Sequence, residues 1–111
     1  MFKKIIFIVT ALVAINTWGE DWNAPATPIS AMYVYPTYIV VVQEGNYVGS
    51  ICSPGGYVWS FVWADFDAAT QQRIYSSLLA AKLARTPLKP ILSSTSCGPE
   101  NKLKFDGRFV L

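Results

Sequence analysis

The residues able to do chemistry in this chain are few and badly arranged for catalysis. Among its 111 residues there is no histidine, which removes the commonest general base and the commonest metal ligand. Asp65 and Asp67 are the only closely spaced carboxylates apart from Glu20 and Asp21. Two such groups can act as the acid and base of a glycosidase. Two residues apart at the start of a helical pattern, they read instead as helix caps. Ser76 and Ser77 fall inside that helix with no base nearby, and Ser93, Ser94 and Ser96 flank Cys97 in a polar stretch. Lys89 has no Ser-x-x-Lys pattern before it, and Gly55-Gly56 lacks the lysine and spacing of a phosphate loop. The sequence predicts no enzyme, no cofactor and no metal.

Binding chemistry is better supplied. Trp22, Trp59, Trp63 and six tyrosines make a chain rich in aromatic faces, which stack on flat ligands as readily as they fill a core. Tyr33, Tyr35 and Tyr38 bracket Pro36, so strand alternation cannot turn all three inwards. Tyr57 lies beside the glycine loop. Tyr33, Tyr35 and Tyr57 are therefore the candidate ligand-contacting residues. Cys52 and Cys97 are the only cysteines, either a disulfide or a nucleophile with a spare thiol.

The first nineteen residues decide between those two. Lys3 and Lys4 form a basic head, residues 5–15 are apolar except for Thr10, and Thr17 and Gly19 precede a cut before Glu20. This is the layout of a secretory signal peptide. An apolar run of about a dozen residues is too short to span a bilayer, which takes roughly 20. The chain is expected to be secreted or periplasmic, with residues 1–19 as leader and 20–111 as a single domain. An oxidising compartment favours a Cys52–Cys97 disulfide. Losing Lys3 and Lys4 reduces nine Lys plus Arg to seven, against seven Asp plus Glu. A formally neutral protein gives no argument for nucleic acid, which is bound through clustered excess positive charge.

The elements that must position the aromatics follow from pattern. Residues 20–28 read as an irregular lead-in with a mobile start. Residues 29–35 alternate, with Ile29, Ala31, Tyr33 and Tyr35 on one side, and Pro36 marks a bulge, bend or junction. Residues 38–42 are a β-branched run suited to a strand buried on both faces. Glu44-Gly45-Asn46 is turn chemistry, residues 47–52 are a short strand or an extended connection, and residues 53–56 are a loop. Residues 57–63 form an aromatic strand. Asp67 caps a helix over residues 68–85, whose inner face carries Ile74, Leu78 and Ala81 with Tyr75 and Leu79 beside them. Thr86-Pro87 ends it. Residues 88–92 are a strand, with Pro90 implying an edge or bulge. Residues 93–102 read as a polar loop, and 105–111 as a last strand split at Asp106-Gly107.

Three strand regions, a helix and two strands is the element order of the OB-fold, a five-stranded Greek-key barrel with its helix between strands three and four. A three-stranded sheet under one helix fits the same string. The stretch from Tyr57 to Leu111, with Ser76-Ser77-Leu78-Leu79-Ala80-Ala81-Lys82 (the "LLAAK" run) followed by a strand and a Ser/Cys loop, resembles small secreted bacterial proteins. These are similar in arrangement to the B subunits of subtilase-cytotoxin and typhoid-toxin type. The resemblance implies an OB-fold and glycan binding, as those subunits are glycan-binding pentamers. Their sugar pocket is built around a serine in the first strands. Here Ser30 is the only serine of that region, in a different context, so no glycan-contacting residue and no pentamer carries over. The expected function is a secreted, non-enzymatic binding domain for a cell-surface glycan, with homo-oligomer formation open. The alternative is a protein-interaction or inhibitor domain acting through residues 53–56 or 93–102.

Overall fold

The computed structural model describes residues 20–47, 52 and 56–110. The expected leader, residues 1–19, lies outside the described residues, as does most of the loop at 53–56. The fold is α+β. One mixed sheet holds β1 (Glu20–Asp21), β2 (Ile29–Val34), β3 (Tyr38–Gln43), β4 (Tyr57–Val62), β5 (Lys89–Cys97) and β6 (Leu103–Val110). One helix, α1 (Ala68–Ala84), falls between β4 and β5 in the chain. The strands lie in the order β1-β5-β6-β4-β3-β2, and the sheet is not closed. All pairs are antiparallel except β4 with β6, where Trp59 faces Leu103 and Ser60 faces Lys104.

Strand alternation fills the core. Tyr57, Trp59 and Phe61 point inwards from β4, Ile39 and Val41 from β3, Leu103 and Phe105 from β6. The ring of Phe105 sits 4.6 Å from Trp59, 5.3 Å from Phe61 and 4.8 Å from Phe109, between centroids. Each such side chain contributes about 1.5–3 kcal/mol on burial. Ile74, Leu78 and Ala81 are the buried residues of α1, as its spacing predicts. Tyr75 and Leu79 beside them stay partly exposed. The Asp67 carboxylate accepts from the Thr70 amide at 2.8 Å to start the helix, and Arg85 ends it in the left-handed conformation.

Gln43 is a polar side chain driven deep inside for a reason the sequence does not announce. Its amide nitrogen donates to the carbonyls of Thr27 and Leu88, both at 2.8 Å, and its oxygen accepts from the Trp59 indole at 2.7 Å. Thr27 and Leu88 also pair with each other as an isolated antiparallel bridge. One amide thus fastens the chain ahead of β2 to the chain ahead of β5.

Several expectations are corrected. The lead-in begins not as a mobile end but as β1, with Glu20 opposite Ser93 and Asp21 opposite Leu92. The alternation expected over 29–35 breaks at a register shift between Ile29 and Ala31, so Met32 packs against the core and Tyr33 stays out. The polar stretch 93–97 is not loop: it continues β5 to Cys97, because serines and threonine pair through the backbone as well as apolar residues do. Pro90 does fall at a register shift. The last strand is unbroken and starts at Leu103. Gly107 carries it through with φ +102°, where the Phe66 ring would lie 2.6 Å from any β-carbon.

Candidate functional site

The outer face of β3 and β4 carries the best-built surface. Strand alternation turns Tyr38, Val40, Ser60 and Val62 to that face, where Val40 and Ser60 are buried and Tyr38, which faces Val62 across the ladder, is half-buried. Beside them, the chain between β2 and β3 turns tightly at Pro36, closed by the Tyr35 amide donating to the Tyr38 carbonyl at 2.9 Å. That turn brings the Tyr35 and Tyr38 rings into a stack, 4.6 Å between centroids and 28° between planes.

The turn between β5 and β6 folds over the same face. Its ends are joined by the Gly98 amide donating to the Lys102 carbonyl at 2.8 Å. The Ser60 hydroxyl donates to the Pro99 carbonyl at 2.9 Å, which leaves Ser60 wholly buried. Gly98 is needed for that approach: a β-carbon there would come within 2.7 Å of the Ser60 carbonyl oxygen. Glu100 and Asn101 follow in the left-handed conformation, at φ 62° and 58°. The result places the Glu100 carboxylate against the aromatic pair, where Oε2 accepts from the Tyr38 hydroxyl at 2.8 Å. That bond, with some desolvation and the negative charge of Glu100, raises the Tyr38 phenol above its ordinary pKa.

Trp63 extends the platform. It opens a short 3-10 turn (Trp63–Asp65) after β4, and its indole donates to the Tyr35 carbonyl at 3.3 Å. Gln71 of α1 holds the turn by donating to the carbonyls of Trp63 at 2.7 Å and Phe66 at 2.8 Å. Tyr75 of the helix lies edge-on to Trp63 at 6.4 Å. Next to the platform, a cleft of about 270 Å³ opens between Asp65, Gly98, Pro99 and Lys104. A second cleft of about 400 Å³ shares Asp65 and Lys104 and adds Ser93 and Asp106.

Cys52 and Cys97 form the expected disulfide. It anchors the strand end from which the Glu100 turn departs. Tyr33 and Tyr35 are exposed, 52% and 39%, and Tyr35 is part of the platform. Tyr57 is a correction: it is wholly buried, its hydroxyl donating to the Pro25 carbonyl at 2.8 Å. It lies on the inward alternation of β4, so closeness to the glycine loop does not expose it. Asp65 and Asp67 are not a facing pair. Asp67 caps the helix, and the Thr70 hydrogen bonds lower its pKa. Asp65 shares its cleft with Asp106, whose carboxyl is raised by burial despite the bond from the Arg108 amide. Among the described residues no cluster of three His, Cys, Asp or Glu could hold a metal.

Comparison with protein-family models, with curated proteins and with solved structures finds no match. The chemistry of the platform is what remains to read. Stacked tyrosines, an indole and a fixed carboxylate can bind a flat, hydroxyl-bearing ligand without reacting with it. Glu100 had no signal in the sequence, since nothing in Gly-Pro-Glu-Asn tells that the turn will fold back onto β4.

Proposed function

We propose that this is a secreted or periplasmic, non-enzymatic binding domain that takes glycans on the Tyr35–Tyr38–Glu100 surface. The observation that carries the reading is the stacked tyrosine pair with a carboxylate hydrogen-bonded to its edge. Aromatic faces cover the apolar side of a sugar ring, and a carboxylate accepts from its hydroxyls.

We read the fold as an OB-like Greek-key arrangement of the five long strands; the expected closed barrel is corrected, since the sheet stays open between its β1 and β2 edges. In its favour are the helix between the third and fourth long strands, the parallel pairing of the third with the fifth, and the Thr27–Leu88 bridge. Such folds bind oligosaccharides and oligonucleotides on the face of strands two and three, between the loops joining strands one and two and strands four and five. Counted over the five long strands, that location is the outer face of β3 and β4 between residues 35–37 and 98–102. The charge balance favours sugars over nucleic acid. Likeness to toxin B subunits, and assembly into a ring, belong to the same proposal. Among the described residues no helix is long and apolar enough to cross a membrane.

A glycan array probed with the exported protein tests this. Saturable binding lost in Tyr35→Ala supports the reading; an array at background level contradicts it.

A second reading has its own observation. Leu83 of α1 is 77% exposed, and a groove of about 430 Å³ between α1 and β6 is lined by Ala80, Ala84, Pro87 and Phe109. Such an apolar surface suits a protein partner. Capture of one specific protein from periplasm or host extract, abolished by Leu83→Glu, favours it.

A further inference from the structure

Resting on the glycan reading above, we infer that the site selects uncharged, hydroxyl-rich glycans and rejects those ending in a carboxylate, such as sialylated chains. The selecting group is Glu100. Its turn is closed by the Gly98–Lys102 hydrogen bond and tied to β4 through Ser60 and Pro99, so its charge stays at the edge of the Tyr35–Tyr38 stack. The Arg85–Glu44 and Arg108–Asp106 ion pairs both leave Glu100 out.

A carboxylate offers about four acceptor positions, and the Tyr38 hydroxyl uses one of them. Sugar hydroxyls are donors and match what remains. A ligand carboxylate brings a like charge and no donor. Charges of both signs lie around the site. Lys102 lies two residues beyond Glu100, while Lys104 lines the neighbouring clefts with Asp65 and, further on, Asp106. Because the first of those clefts is lined by Pro99, next to Glu100, the surface continues past the stack into a hollow of about 270 Å³.

The test is binding of the purified protein to glycan pairs differing only in a terminal sialic acid, for wild type and Glu100→Gln. Wild type is expected to bind the uncharged member about tenfold more tightly. Glu100→Gln, with an unchanged melting temperature, is expected to narrow the gap. Equal or tighter binding of the sialylated members by wild type overturns the inference but leaves the platform reading standing, provided Tyr35→Ala still abolishes binding. A gap unchanged by Glu100→Gln also overturns it. Binding to neither member of any pair overturns both.

Discussion

The Tyr38 hydroxyl donates to the Glu100 carboxylate across 62 residues of chain, at 2.8 Å. This bond joins β3 to the turn between β5 and β6, and it ties a ring to a charge at one exposed edge. Because the carboxylate raises the phenol's pKa, the folded state holds the Tyr38 proton more tightly than the unfolded chain does. The contact's contribution is therefore fully present below the ordinary tyrosine value near 10 and is lost as pH rises through the higher folded value. Tyr38→Phe should remove that part of the alkaline decline in stability, as read by melting temperature against pH.

Gly98 and Ser60 are in closer contact than any side chain at 98 permits. Gly98→Ala must push the turn off β4 or bend the strand, at a cost of about 1–3 kcal/mol. Glycan binding should fall further than stability does, because Glu100 rides on the displaced turn. Chemical unfolding and ligand titration on the same variant separate the two effects.

The Cys52–Cys97 bond spans a sequence separation of 45 residues. Closing a loop of that length restricts the unfolded chain by roughly 4 kcal/mol. Unfolding the oxidised protein and the Cys52→Ser, Cys97→Ser double variant in urea should show a loss of about 2–5 kcal/mol. An unchanged midpoint would contradict a structural role for the bond.

Gln43→Leu is the test of the seam between Thr27 and Leu88. The substitution leaves the buried Trp59 indole without the partner it has at 2.7 Å. The expected destabilisation is about 1–3 kcal/mol, with hydrogen exchange at Leu88 speeding up more than exchange in β3.

What was legible in the sequence was whatever local chemistry dictates. Asp67, the Ile74–Leu78–Ala81 face and Thr86-Pro87 announce α1, and Pro36 announces the bend before β3. The inward trio Tyr57, Trp59 and Phe61 follows from a period of two, although closeness to a glycine loop pointed Tyr57 the wrong way. The rest depends on distant pairing. Ser93 to Cys97 have no strand-like character and join the sheet because β6 and β1 lie on either side of β5. Gln43 looks like a turn residue until Thr27 and Leu88 converge on it. Glu100 becomes part of a site only when residues 98–102 close over β4, a consequence of Gly98 fitting where no other residue would.

The most direct measurement is a heteronuclear NMR titration of the purified protein with the tightest-binding uncharged glycan from the array. Saturable shifts should concentrate at Tyr35, Tyr38, the Trp63 indole and residues 98–102. Shifts confined to the outer side of α1, or none at any glycan concentration, would contradict the account.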